Sequence, residues 1–128
     1  MSSKVYSASI YGMEGKLIEI EVDTSPGQPV FNIVGLPDAA VKEAKERVSS
    51  AIKNSGFKAP QFFGRITVNL APADLKKEGP LFDLPIALGF LAASKQIDSL
   101  PKSSVFLGEL SLDGRLRKIK GALPVALS

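Results

Sequence analysis

The chain has 128 residues, of which 45 % are hydrophobic and 23 % charged, and its formal net charge is +3. This composition is typical of one globular domain with a hydrophobic core. There is no cysteine and no histidine, which excludes disulfides, thiolate zinc sites, thiol nucleophiles and a His-dependent catalytic triad within the chain. The mildly basic charge is compatible with an anionic partner but does not require one.

The chain contains no apolar run of the roughly 18 uncharged residues that a membrane-spanning helix needs. Its N-terminus also has no apolar signal core. We therefore expect a cytoplasmic protein with no membrane partner.

The first part of the chain predicts three strands. Residues 5–11 alternate apolar and small polar side chains, and residues 16–22 place isoleucine and valine on one face and glutamate on the other. These two strands form a hairpin with one wet face, turning at Gly12 and Gly15. After a Pro- and Gly-rich loop, Val30–Val34 forms the third strand.

Asp38 is predicted to cap the first helix. An apolar stripe follows at helical spacing and consists of Val41, Ala44, Val48, Ala51 and Ile52. Glu43 and Arg47 form an i,i+4 pair on the outer face, and Gly56 suits a left-handed C-terminal cap. Residues 65–70 then alternate again as a strand that points Ile66, Val68 and Leu70 inward.

The second helix is predicted to begin near Asp83, whose side chain would cap it, with Pro85 tolerated in the first turn. Residues 86–93 are apolar on every side, which is typical of a helix covered from several directions. Residues 105–110 and 115–119 then predict a second hairpin about an Asp-Gly turn.

A last helical pattern at residues 121–127 stops at Ser128. We therefore expect that 1–128 is part of a domain that continues further. The order β-β-β-α-β-α-β-β-α predicts an α/β sandwich in which helices pack on a mostly antiparallel sheet.

One basic cluster follows the Asp-Gly turn and consists of Arg115, Arg117, Lys118 and Lys120. Such a cluster is either solvated surface or a sequence-independent contact with DNA phosphates. No aromatic residue lies within it to stack on a base. The chain also lacks a GxxxxGK[ST] phosphate loop, so we expect no ATP site of that kind in it. Without cysteine and histidine we also expect no metal site.

Three segments carry a family resemblance: "FNIVGLPDAAVKEAKERVSSAIKNSGF" (31–57), "ITVNLAPADLKKEGPLFDLPIALGFLAAS" (66–94) and "GELSLDGRLRKIKGALP" (108–124). They resemble the N-terminal domain of bacterial magnesium-chelatase-like AAA+ ATPases, the YifB/ComM family. The resemblance implies a ribosomal-protein-S5-domain-2-like fold, shared with the Lon protease domain and the C-terminal domain of RadA. It also implies a downstream AAA+ motor that uses ATP and Mg²⁺, a homo-hexameric ring, and a link to DNA branch migration in natural transformation.

The same resemblance allows a test for peptidase chemistry. Lon-type peptidases carry a serine in a loop reading K-D-G-P-S-A-G, and "KEGPLFD" (77–83) is similar to that loop with Leu81 in place of the serine. The lysine base would fall at Leu123. Lys120 lies about one helical turn before that position, where Asp83 would hold it charged, and it has no nucleophile to activate.

The sequence therefore predicts a noncatalytic module that serves an ATPase ring as a structural, partner-binding or DNA-facing part. Two alternatives stay open at this point. One is a module of S5-like fold that binds nucleic acid directly, which rests on fold analogy. The other is an active Ser-Lys peptidase, which the missing nucleophile disfavours.

Overall fold

The computed structural model describes residues 1–9 and 16–117. They form an α+β domain in which helices cover one face of a four-stranded sheet. The strands are β1 (Ser2–Ser9), β2 (Lys16–Ser25), β3 (Val30–Val34) and β4 (Arg65–Ala71). The helices are α1 (Ala39–Lys42), α2 (Ala44–Asn54) and α3 (Asp83–Ala93), with 3₁₀ turns at Pro60–Phe63 and Pro80–Phe82.

The strand order across the sheet is β1-β2-β4-β3. β1 pairs antiparallel with β2 and β2 antiparallel with β4, whereas β3 runs parallel to β4. The predicted mostly antiparallel sheet under helices is thus confirmed. The parallel pair follows from α1 and α2, which carry the chain from the end of β3 back to the start of β4.

Period-2 alternation decides which strand residues are buried. Ile18, Ile20 and Val22 of β2 are fully buried, while Glu19 and Glu21 lie on the opposite face. The inward residues of β4 are Ile66, Val68 and Leu70, again as predicted. The first strand begins at Ser2 rather than at Val5, because its earlier residues also pair with β2. Residues 10 and 11 of the predicted strand lie outside the described residues. The predicted turn at Gly12 and Gly15 lies outside the described residues.

The first predicted helix contains an interruption at Glu43, which separates α1 from α2. Two contacts accompany this break. Arg47 Nη2 donates to the Ala40 carbonyl at 2.8 Å, the group that residue 44 would use in a regular helix. The Glu46 amide donates to the Glu43 carbonyl three residues back. The predicted apolar stripe is nevertheless buried throughout: Val41, Ala44, Val48, Ala51 and Ile52.

The ends of this helical segment follow the predicted signals. Asp38 Oδ1 accepts from the Val41 amide at 2.8 Å, so Asp38 is the N-cap of α1. Gly56 adopts φ +88° after α2, and the Phe57 amide donates to the Ile52 carbonyl. Together with the bond from the Gly56 amide to the Lys53 carbonyl, this bond forms a Schellman-type cap, which the left-handed glycine makes possible.

Helix α3 lies centrally and close to the sheet. Eight of its eleven residues are buried, as its uniformly apolar sequence predicts. A Cβ on Gly89 would stand 2.7 Å from Val22 Cγ2 and 3.2 Å from Val5 Cγ2, so only glycine permits this approach.

No helix in the described part of the chain is long and apolar enough to span a membrane.

The second predicted hairpin is present at its turn within the described residues, but its arms are not continuous strands there. Leu110 and Leu116 form an antiparallel bridge, the Ser111 amide donates to the Arg115 carbonyl, and the Arg117 amide donates to the Glu109 carbonyl. The first arm also donates to other elements. The Phe106 amide bonds the Tyr6 carbonyl, and the Gly108 amide bonds the Leu81 carbonyl. The end of the second arm and the predicted helix at 121–127 lie outside the described residues.

Candidate functional site

The segment with a resemblance to a peptidase loop, residues 77–83, turns the chain into α3. It is called the 77–83 loop below. Gly79 adopts φ +83°, which favours glycine, and Pro80 opens the 3₁₀ turn that precedes the helix. Leu81 and Phe82 are buried.

The first group of contacts holds the loop against residues 36–38. The Lys77 amide donates to the Leu36 carbonyl at 3.0 Å, and the Asp38 amide donates to the Lys77 carbonyl at 3.0 Å. Asp38 Oδ2 also accepts from the Gly79 amide at 3.1 Å. A single carboxylate thus caps α1 with one oxygen and fixes the loop with the other.

The second group of contacts comes from residues 108–110. The Gly108 amide donates to the Leu81 carbonyl at 2.7 Å, and the Leu84 amide donates to the Gly108 carbonyl at 3.0 Å. The Leu110 amide reaches Asp83 Oδ2 at 3.1 Å. The contact at position 81 uses the backbone carbonyl, so it does not depend on which side chain Leu81 carries.

The third contact is a buried ion pair between α2 and α3. Arg47 Nε donates to Asp83 Oδ2 at 2.6 Å, and Arg47 Nη2 donates to Asp83 Oδ1 at 3.0 Å. Asp83 is completely buried, and the Arg47 side chain is 20 % exposed. This two-bond fork is the geometry in which arginine binds carboxylates most strongly.

Burial and hydrogen bonding shift the pKa of Asp83 in opposite directions. Burial is the largest influence on Asp83 and raises the pKa of its carboxyl, while the hydrogen bonds from Arg47 and the Leu110 amide oppose that shift. The hydrogen bond to Asp83 raises the pKa of Arg47. The prediction that Asp83 caps α3 is therefore wrong, because both of its oxygens are engaged by Arg47 and Leu110, and Phe82 takes the N-cap position.

Lys77 is a fully buried lysine at the start of the loop. Its Nζ donates to the Pro72 carbonyl. Burial lowers the pKa of Lys77, and the nearby Asp74 charge opposes that shift only in part. Because Lys77 is completely buried, its amine acts as a structural hydrogen-bond donor to the Pro72 carbonyl.

The 77–83 loop carries no hydroxyl or thiol side chain. Position 81 presents a hydrocarbon side chain, and the carboxylate at Asp83 accepts from Arg47. Leu123 and Lys120 themselves lie outside the described residues. Within residues 1–9 and 16–117 no group of three or more His, Cys, Asp or Glu side chains is close enough to hold a metal ion.

The predicted basic cluster is only half described. Arg115 and Arg117 expose 87 % and 61 % of their side chains, and lie 3.6 Å from Asp113 and 3.4 Å from Glu109, respectively. Such exposed pairs are weak, so neither arginine is committed to its acid. Lys118 and Lys120 lie outside the described residues, and DNA contact by the cluster stays a prediction.

Sequence reasoning missed two residues of this site. It assigned Arg47 to Glu43, which lies 3.6 Å away and is 70 % exposed, and it overlooked the tighter pairing with Asp83. It also gave Lys77 no role. One signal for the first was available, because a carboxylate that begins an otherwise apolar buried helix requires a cationic partner from elsewhere.

Comparison with known proteins supports the resemblance. Residues 20–128 match the family described as subunit ChlI of Mg-chelatase. Over 125 residues, 97 % of the chain, it is 54 % identical to the competence protein ComM of Haemophilus influenzae and 47 % identical to YifB of Escherichia coli. The chain belongs to the ComM/YifB family of magnesium-chelatase-like proteins. It spans about a quarter of the length of these family members, 24 % of each.

A more distant member of the family retains the similarity over the same span. A Mycobacterium tuberculosis protein is 40 % identical over 126 residues, which cover 98 % of the chain and 25 % of that protein. The similarity to the family therefore includes both the 77–83 loop and the residues that hold it.

Removal of one partner of the Arg47–Asp83 pair is expected to be strongly destabilising, because it leaves the other charge buried and unpaired. Arg47→Met should lower the free energy of unfolding by about 3–5 kcal/mol at neutral pH, because it leaves a buried carboxylate without its partner. Arg47→Met combined with Asp83→Leu should cost less than the sum of the single changes. Urea titrations of the three variants measure this coupling.

Two further measurements test that explanation. The deficit of Arg47→Met should shrink below about pH 5, because a buried unpaired carboxyl has a raised pKa and the folded state then binds its proton more readily than the unfolded state. Glu43→Gln, which removes the exposed partner of the same arginine, should cost no more than about 0.5 kcal/mol. Equal losses from Glu43→Gln and Arg47→Met would contradict the assignment.

Lys77 should make stability depend on alkaline pH. Its pKa in the folded state lies below the ordinary 10.5, so between those two values the unfolded chain binds more protons and stability rises with pH. Denaturant titrations from pH 7 upward should show this rise in the wild type but not in Lys77→Met. Lys76→Met is the control, since Lys76 is 68 % exposed; if Lys76→Met and Lys77→Met gave the same pH profile, the buried lysine would not be the cause.

Proposed function

We propose that this chain is a noncatalytic module of a magnesium-chelatase-like AAA+ ATPase. The observation that carries the proposal is the 77–83 loop, in which a buried leucine occupies the serine position while backbone contacts fix the loop at Leu81 and Gly108. A loop held in this way supports packing rather than peptide hydrolysis. The role that fits is a structural or partner-binding part of the ATPase ring.

The remaining parts of the proposal come from the family resemblance. They include an S5-domain-2-like fold related to the Lon protease domain, a cytoplasmic location and a homo-hexameric ring. ATP and Mg²⁺ would be held by a AAA+ motor outside this chain, because the chain has no phosphate-loop sequence. A part in DNA branch migration and natural transformation is proposed in view of the ComM relative, whose name describes a competence protein.

The noncatalytic assignment predicts no peptidase activity. The chain should neither cleave unfolded casein nor react with a serine-directed fluorophosphonate, because Leu81 supplies no oxygen for attack. Leu81→Ser should still fold, with a loss of about 1–3 kcal/mol from a buried hydroxyl without a partner. Mass spectrometry of the labelled protein and a casein gel measure both outcomes, with an active serine peptidase in parallel.

Labelling of a wild-type serine that disappears together with proteolysis when that serine is changed to alanine would overturn the noncatalytic assignment. Failure of Leu81→Ser to fold would instead contradict the claim that the side chain at 81 is independent of the loop's conformation.

A second candidate role is direct contact with DNA, favoured by the exposure of Arg115 and Arg117. If both bind phosphates, affinity for duplexes should fall steeply with salt, and Arg115→Glu with Arg117→Glu should reduce the salt slope by about 2 for all sequences alike. Fluorescence anisotropy across a salt series measures the slope.

The matched control for charge is Lys42→Glu with Lys102→Glu, which changes the net charge equally at two exposed positions away from the cluster. Equal effects of the two double variants would show that any binding depends on net charge alone. Arg115 and Arg117 would then be solvated surface residues that make no specific contact with DNA.

A further inference from the structure

The two edges of the sheet differ in how they are covered. Along β1, Tyr6 forms a parallel bridge with Val105, and the Tyr6 carbonyl accepts from the Phe106 amide at 2.9 Å. At the other edge, β3 pairs with β4 and with no other strand of the described chain. Its sequence V-F-N-I-V has no charge and no proline, so it lacks the features that usually prevent an edge strand from pairing with another chain.

The orientation of β3 follows from one hydrogen bond. The Val30 amide donates to the Gly64 carbonyl on the β4 side, and backbone groups alternate along a strand. The amides and carbonyls of Phe31 and Ile33 therefore point to the open edge. The side chains of Val30, Asn32 and Val34 are exposed, with Val30 at 37 % and Val34 at 46 %.

The sequence of β3 is nearly symmetric about Asn32. An antiparallel copy centred there would place Val30 opposite Val34 and Phe31 opposite Ile33. Phe31 and Ile33 would form the hydrogen-bonded pairs, because their backbone groups face the edge, and the two Asn32 residues would form a non-hydrogen-bonded pair with close side chains. We propose that two copies of this chain associate through β3 in this register, which joins their sheets into one of eight strands.

The absence of charged residues around β3 also favours a second copy of the chain as the partner that binds this edge. A two-fold axis places each group opposite its own equivalent or a near neighbour, so charges of one sign at such an interface repel. The chain has no charged residue from Thr24 to Pro37, which covers β3 and both of its flanks. A strand with this pattern accepts itself as a partner without repulsion.

A leucine and a cavity flank the strand at positions that this register brings together. Leu36 is 53 % exposed and held at φ +56°, and its carbonyl is bonded to the Lys77 amide. A cavity of about 140 Å³ opens beside the start of β3 and is lined by Pro29, Val30, Phe31, Pro60, Gln61 and Ile66, among others. The register pairs Val34 of the second copy with Val30, which lines this cavity, and so brings the segment that carries Leu36 to the same end of the strand.

The test introduces charge at the proposed two-fold axis. The wild-type chain should sediment with twice the mass of one chain as its concentration rises, whereas Asn32→Lys should be monomeric, because two ammonium groups would face each other. Asn32→Glu should be monomeric for the same reason. An equal mixture of the two variants should restore the dimer through a lysine–glutamate pair, and analytical ultracentrifugation measures all four samples.

Thr67→Lys is the matched control, since Thr67 pairs with Asn32 in the sheet but lies on β4, between two strands. It should leave the dimer intact, and thermal melts should show that all variants fold. A wild-type chain that stays monomeric to about 1 mM would overturn the proposal. So would a dimer that survives Asn32→Lys, because its interface would then lie elsewhere.

Discussion

The pairing of Arg47 with Asp83 is the interaction on which the arrangement of this domain depends. Asp83 is fully buried at the first turn of the most apolar helix, a position where an isolated carboxylate would be strongly unfavourable. Its partner comes from α2, and a third hydrogen bond comes from the Leu110 amide. One carboxylate thus fixes the relative positions of two helices and the segment that follows them.

That arrangement explains why the 77–83 loop has a defined conformation. The loop ends at Asp83, which cannot move without losing its three hydrogen bonds. Its other end is held through Asp38, whose two oxygens accept from the Val41 and Gly79 amides. Polar groups therefore fix both ends of the loop, and apolar burial of Leu81 and Phe82 fills the space between them.

Local sequence patterns predicted much of this fold, and contacts distant in sequence were not predictable. The alternation in β2 and β4 and the stripe of α2 were decided by burial on one side of each element, which a single sequence displays. The Asp38 and Gly56 caps were likewise local. The hydrogen bonds of Asp83 depend on residues 36 positions before it and 27 after it, so its local pattern indicated a helix cap instead.

The segment from 105 to 117 was predictable in part. Its alternation and its Asp-Gly turn indicated a hairpin, and the bridge between Leu110 and Leu116 lies beside that turn. The amides of Phe106, Gly108 and Leu110 bond β1, the 77–83 loop and Asp83, and these contacts distant in sequence were not readable from the local pattern. At the candidate site, the absence of a serine was readable from the sequence, whereas the buried Lys77 was not.

These contacts also show that the conformation of the loop does not depend on the side chain at position 81. At position 81 the bond to Gly108 is made by the backbone carbonyl, and the Asp38, Gly79 and Asp83 contacts lie on either side of it. A change of side chain at this position alters the volume and polarity of a buried site while it leaves every one of those hydrogen bonds available. A serine and a leucine can therefore occupy the same loop geometry, one with a nucleophile and the other with a packed apolar surface. The contacts of the loop join α1, α2 and α3, a structural role that does not require catalysis.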